Sequence, residues 1–539
     1  MYKKIFPAIA VTLLFSFTAF SQVRFSSNGI KLERTLQLID NLYVDDVSAD
    51  NLTESAIRAM LHDLDPHSQY LNAEEVKELN EPLQGNFDGI GISFNMMLTD
   101  TLYVMEVIAG GPSQKVGLMP GDKILFVNDT LIAGVKMKTN DIIKKLRGPK
   151  GTVVNVRVLR RGTPELLDFR IVRDKIPIYS IEASYMIDAN TGYIRLSRFG
   201  ATSTEEFLTA EKELKAQGMK NLILDLTYNG GGILQTAADI TDEFLGADKL
   251  IVYTEGKHQP RHNLVSTAKG QFETGKLIVM VNESSASASE ILSGAVQDWD
   301  RAVIVGRRTF GKGLVQRQLP LTDATMVRLT VARYYTPSGR CIQKPYENGN
   351  EEEYGKDLIK RFNNGEMLHA DSIHFPDSLK YTTLVTKRTV FGGGGIMPDY
   401  FVPLDTTSTR LHRILNAQGI LNRLSIGEID NNRKQLLKSY PNAQAFKVNY
   451  TVPQKLFDKM KTMAESSSIT WDQAEFEKSK KLISVQLKAL MARDLYDSSA
   501  FYSIINEENE IFRESLIIIN DDTRYNDLLQ GKNRTKTKN

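Results

Sequence analysis

A serine and a lysine 25 residues apart, Ser287 and Lys312, are the side chains whose setting suggests covalent chemistry. Ser287 stands in Asn282-Glu-Ser-Ser-Ala-Ser-Ala-Ser-Glu290, after the apolar run Lys276-Leu-Ile-Val-Met-Val281 and before Ile291, Leu292, Ala295, Val296 and Trp299, the apolar side of a helix. Ser287-x-x-Glu290 fits a capping box, so the spacing predicts Ser287 at a helix N-terminus. Taken alone, that reading needs nothing beyond a serine-rich helix cap. Lys312 lies between glycines in Phe310-Gly-Lys-Gly313, where a long side chain can be drawn inward without crowding. A hydroxyl becomes a useful nucleophile only when a base removes its proton. Lysine can do so where burial disfavours its ammonium form, by about three units from about 10.4. A carboxylate beside it would oppose that shift, so the neutral Gln316, four residues on, is the better partner. The amide of Ala288, first in the helix, is a candidate donor to a developing oxyanion.

The elements that must position these groups follow from patterning. Asn221–Leu226 and Lys276–Val281 are continuous apolar runs, as in strands buried on both faces, and each feeds a small-residue turn and a helical stretch. Such units place side chains and free amides at the carboxyl ends of strands. Leu32, Leu36, Ile39 and Tyr43 recur at helical spacing, and a second helix is expected over Asn51–Leu64, stopped by Asp65-Pro-His-Ser68. Beyond Pro403 the chain turns helical and charged. Thr470-x-x-Gln473 reads as a capping box, with Phe476, Ile483, Leu487 and Leu490 on one face, and the basic end Gly531–Asn539 reads as disordered.

Residues 85–162 carry GNFDGIGISF, GGPSQKVGLMPGDKILFVNDT and IIKKLRGPKGTVVNVRVLR, and resemble a PDZ domain of bacterial proteases. The resemblance implies that amides around Gly89, Ile90, Gly91 and Ile92 receive a terminal carboxylate while a strand pairs with the peptide. Asp88 stands where related modules often carry glycine, and an acid there would oppose an anionic chain end.

With SASASE, TFGKGLVQ, DLTYNGGG, YYTPSGRCIQ, FGGGGIMPD and LDPHSQYL in order over residues 30–405, the chain resembles the carboxyl-terminal processing peptidases. That resemblance implies a multidomain α/β protein: a protease core of ClpP/crotonase type over 163–405, an inserted PDZ domain, N-terminal helices over 22–84 and a helical region over 406–539. It implies Ser287 as nucleophile, Lys312 as general base, Gln316 as the residue orienting the lysine, and Gly231 or Gly232 as the oxyanion donor beside Ala288. Related sequences read Arg where this chain has Thr227. Asp298 falls where some members carry an auxiliary aspartate and is read here as structural. An insertion over about 344–392 departs from the family outline and is expected to be a solvated loop.

Composition narrows the alternatives. The 539 residues exceed one ordinary domain, and 67 basic against 65 acidic residues leave no field of one sign for nucleic acid. One cysteine, Cys341, excludes an internal disulfide, and the seven histidines form no HExxH. Neither metal nor cofactor is expected, and Gly230-Gly-Gly232 lacks the GK[ST] of a nucleotide loop. Residues 1–21 read as a signal peptide: Lys3 and Lys4, an apolar run over Ile5–Phe17, then Ala19-Phe-Ser21. Periplasmic export is the expectation, with membrane contact only if the segment is uncleaved. Later segments fall short of spanning length. The expected partners are protein or peptide substrates held by their C-termini, with a homo-oligomer open. The competing functions are a PDZ-based binding or chaperone-like protein and a Ser-His-Asp hydrolase. His258 and His262, the histidines weighed for the latter, flank Pro260 and Arg261 and read as loop.

Overall fold

A computed structural model of the protein describes residues 26–96, 100–108, 110–321 and 323–532. The signal segment and most of the basic tail lie outside the described residues.

The core is a six-stranded sheet in the order Ile181–Met186, Thr191–Leu196, Asn221–Asp225, Leu277–Val281, Val303–Gly306 and Tyr400–Phe401. Its first pair is antiparallel and the remainder parallel. Alternate side chains of these strands enter two different cores, because successive residues of a strand face opposite ways. Leu222, Leu224, Val279 and Val281 pack under the helices Ser203–Ala216, Leu234–Asp242 and Ala288–Asp298. Ile223, Ile278 and Met280 meet Ile511, Phe512, Ile518 and Tyr525 from the last helices, Glu510–Asn520 and Asp522–Leu529. Those terminal helices are therefore the second cover of the core sheet. A second sheet runs Gln69–Leu71, Met326–Tyr335, Leu250–Gly256 and Gln259–Val265, with Leu314–Pro320 also paired to Met326–Tyr335.

Helices replace the loop expected in the insertion, at Glu351–Gly355 and Asp357–Asn363. His262, read as loop, lies in the strand Gln259–Val265. The long helix Gln473–Leu495 is capped by the Asp472 side chain, which accepts from Glu475 N, rather than by Thr470. Its Phe476, Ile483, Leu487 and Leu490 do share a core with helices Arg410–Ala417, Ile420–Ser439 and Gln454–Ser466. The first helix runs Ser27–Leu42 and buries none of its residues.

The PDZ sheet runs Ile92–Met96, Leu102–Val107, Lys123–Val127, Val153–Leu159 and Leu167–Val172, so it continues past residue 162. Tyr103 and Met105 on its outer face pack on Ile426, and Lys123 pairs with Asp430 at 3.1 Å, which seats this sheet on the C-terminal helices. Gly89 ends a strand that pairs with Asp174–Pro177, and the Ile90 carbonyl accepts from both Ser113 N and Ser113 Oγ. Asp88 accepts from Lys150 N at 3.1 Å within that paired strand.

Candidate active site

A cleft of about 560 Å³ is lined by Gly231, Gly232, Ser287, Ala288, Lys312 and Gln316, with helix Ala73–Gln84 also supplying Glu78 and Leu79. Folding thus assembles the predicted groups from three separate strand-turn units.

Ser287 sits directly before helix Ala288–Asp298, as the capping pattern predicts, with φ of 56°. A positive φ on a residue bearing a Cβ is strained and persists only where the surroundings enforce it. The enforcing group is Glu290, which is wholly buried and accepts four hydrogen bonds. Its Oε2 takes Ser287 N at 2.7 Å and Lys312 N at 2.9 Å; its Oε1 takes Thr309 Oγ1 at 2.5 Å and Gly311 N at 2.8 Å. One carboxylate therefore holds the backbones of both Ser287 and Lys312. From the other side, the buried Tyr334 hydroxyl lies within reach of the carbonyl oxygens of both residues, 3.1 Å from that of Ser287. Neither clamp is visible as a local pattern, although Glu290 was legible as a cap.

Burial pushes the Lys312 ammonium down to about 8, with help from the Arg328 guanidinium, while Glu290 and Asp65 pull the other way. Burial also lifts Glu290 to about 7, against its four donors. The loop carrying Lys312 is braced from the insertion. Arg361, itself buried, donates to Thr309 O at 2.8 Å and Phe310 O at 3.0 Å. Lys344 lies 4.0 Å from the ring centres of both Phe310 and Tyr354 and donates to Asp357 at 3.1 Å. Gln343 accepts from Gly313 N at 2.8 Å.

The N-terminal turn Asp65–Ser68 also reaches the site. Asp65 accepts from Ser68 N, Ser68 Oγ and Thr330 Oγ1, and His67 bonds the Tyr354 hydroxyl at 3.0 Å. Burial, then the Lys312 charge, hold His67 down to about 4, so it is neutral at physiological pH.

Two expectations change in detail. Gln316 Nε2 donates to Thr330 Oγ1 at 3.2 Å, and no bond to Lys312 is present among the described residues. Gly231 N donates to Asn229 Oδ1 at 2.9 Å, which removes it as an oxyanion donor. Gly231 is nonetheless required: its φ is 103°, and a Cβ there would lie 2.8 Å from Ser287 Cβ and 2.9 Å from Ala288 N. At Gly232 a Cβ would lie 2.1 Å from Phe199 O. The amides of Gly232 and Ala288 have no partner among the described residues. Thr227 accepts from Arg195 at 3.0 Å, and that guanidinium also holds Asp225 at 2.6 Å. Asp298 is wholly buried against Arg340 at 2.5 Å and accepts from Ser338 N, the contacts of a structural ion pair.

Residues 190–349 match peptidase family S41, 103–160 a PDZ domain, 18–75 the activating protease CtpB N-terminal domain, and 411–497 a family of unknown function. The carboxy-terminal-processing protease of Bartonella bacilliformis is 37% identical over 306 residues, covering 56% of this chain and 69% of its own. Carboxy-terminal processing protease CtpB of Bacillus subtilis is 33% identical over 317 residues, covering 58% and 65%. The match thus spans about 65–69% of the length of these relatives. Among solved structures, a photosystem II D1 C-terminal processing protease shares 28% identity over 59% of this chain and 91% of its own, at a TM-score of 0.34. On its sequence and its PDZ-bearing architecture, the chain belongs to the carboxy-terminal-processing proteases, serine peptidases of family S41.

Proposed function

We propose that the protein is an exported serine endopeptidase that cuts proteins at or near unstructured C-termini through a Ser-Lys acyl-enzyme mechanism. The observation that carries this reading is the shared backbone frame of Ser287 and Lys312, tied by Glu290 and Tyr334 at the head of one cleft. Neutral Lys312 takes the Ser287 proton as Oγ attacks the substrate carbonyl, and the resulting oxyanion faces the amides of Ala288 and Gly232. The lysine ammonium then returns the proton to the departing amine, leaving an ester on Ser287. Water, giving a proton to Lys312, attacks that ester, and the lysine ammonium returns the proton to Ser287 Oγ as the acyl bond breaks, releasing the new C-terminus and restoring neutral Lys312. Gln316 acts at one remove, through Thr330 and Asp65. The PDZ loop at Gly89–Ile92 receives the substrate chain end, and the periplasm is the compartment.

The test is labelling with a fluorophosphonate, followed by digestion of an unfolded protein and mapping of the new C-termini by mass spectrometry. Wild-type protein should be labelled on Ser287 and should cleave; Ser287→Ala should do neither. Lys312→Ala and Lys312→Arg should both be inactive, since a guanidinium stays protonated. Cleavage retained in the arginine variant refutes the lysine base.

A further inference from the structure

Arg328 lines the same cleft as Ser287 and Lys312, from the strand Met326–Tyr335. It faces Gln69 on one neighbouring strand and Gln318 on the other, so neither cross-strand partner offers it a charge. Among the described residues its side chain has no hydrogen bond and no ion pair, and burial alone perturbs it. The other inward-facing arginines differ. Arg340 holds Asp298, Arg388 holds Asp300 and Asp399, and Arg173 donates to the carbonyls of Lys145, Leu146 and Val153. Apart from Lys312, the remaining charged side chain of the cleft is Glu78, on helix Ala73–Gln84 and exposed to solvent.

A guanidinium drawn partly out of water loses hydration that five N–H donors normally recover from an acceptor. Where the protein supplies no acceptor and the group borders a substrate cleft, the acceptor belongs to the substrate. A planar fork of donors matches a carboxylate, which it can bind through two parallel hydrogen bonds. We propose that Arg328 is a substrate-carboxylate site within the catalytic cleft, selecting chains that place an acidic side chain or their own terminal carboxylate beside the scissile bond. This rests on the reading of Ser287 and Lys312 as the reacting pair.

The placement has a kinetic consequence. Lys312 is faced by Glu290 and Asp65, which favour its charge, and by Arg328, which opposes it, with neutral His67 beside them. A bound carboxylate would offset the Arg328 charge and raise the Lys312 pKa in the complex. The acidic limb of kcat should then lie at higher pH than that of kcat/KM for carboxylate-bearing substrates, and at the same pH for neutral ones.

The experiment maps cut sites in β-casein with full-length protein, then compares matched peptides across one site. Glu is exchanged for Gln at flanking positions in C-terminally amidated peptides, and free acid is compared with amide in a second arm. In wild type, one arm should show about tenfold higher kcat/KM for the carboxylate form. In Arg328→Gln that ratio should fall to about one, and Arg328→Lys should keep part of it. Only the Arg328-dependent share counts, which separates this site from chain-end capture by the PDZ domain. Should Arg328→Gln fail to fold, Arg328→Lys, which keeps the charge but not the planar fork, takes its place, and its carboxylate ratio should fall below that of wild type. A ratio near one in wild type, or an unchanged ratio in Arg328→Gln, overturns the inference. Fluorophosphonate labelling of Ser287 in the same samples keeps the two readings apart. Normal labelling with no carboxylate preference refutes Arg328 alone, whereas absent labelling refutes the reacting pair.

Discussion

Replacing Glu290 by glutamine tests whether one carboxylate holds the reacting groups in register. The amide keeps the shape but has one acceptor oxygen. Its best orientation turns the carbonyl oxygen to Ser287 N and Lys312 N, and the NH2 group to Thr309 and Gly311. Thr309 can rotate its hydroxyl and accept, but Gly311 N, now bonded at 2.8 Å, would face another donor. The charge itself contributes little near neutrality, because a pKa raised from 4.5 to about 7 means that burial outweighs what the four donors supply. The loss is then that of one buried orphan amide, about 1–3 kcal/mol. It falls on the loop that carries Lys312, where an ångström of drift weakens the attack geometry by about a hundredfold. We expect kcat to drop about 10- to 100-fold with KM nearly unchanged, and thermal stability to fall by several degrees. The folded-state pKa lies above its ordinary value of 4.5, so the native state keeps the proton longer than the unfolded chain. Wild-type stability should therefore decline as pH rises from about 4.5 through about 7, a slope the glutamine variant lacks. Steady-state kinetics, calorimetry and urea titrations at pH 5 and 8 give all of these readouts. Wild-type kcat and melting temperature in Glu290→Gln would refute the clamp; a raised KM at constant kcat would move Glu290 into substrate binding.

Activity should rise with pH to a plateau, with an acidic limb near 8, where burial places Lys312, and fall about tenfold per unit below it; a limb near the ordinary lysine value would mean a hydrated, exposed base. Arg361→Ala removes two hydrogen bonds to the backbone before Lys312, so it should lower kcat and melting temperature together, while a solvated-loop insertion predicts no change in either. Asp298→Asn breaks a wholly buried pair with Arg340 and should destabilise by about 3–5 kcal/mol, leaving the acidic limb of the pH profile in place; a shifted limb at unchanged stability would make Asp298 an auxiliary of the base.

Short-range physics is what the sequence could express. Buried parallel strands read as continuous apolar runs at Asn221–Asp225 and Leu277–Val281, and the capping spacing placed Ser287 at a helix start. The glycines flanking Lys312 marked a place where its side chain could be drawn inward without crowding. Motif resemblance then supplied the pairing of Ser287 with Lys312, which no local pattern contains. What the tertiary structure decided are contacts between segments far apart in the chain, whose partners depend on how the sheets stack. Glu290 reaching Lys312 N, Tyr334 spanning two carbonyls, and Asp65–Ser68 closing on Thr330 are of this kind. The insertion looked like a solvated loop because its charged residues, Glu351–Glu353, are in fact exposed; its buried side of Tyr354 and Arg361 gains meaning only once Phe310 and His67 lie beneath it. Likewise Gly231 and Gly232 were equal oxyanion donors until Asn229 Oδ1, turned inward by the fold, took the first amide and left the second.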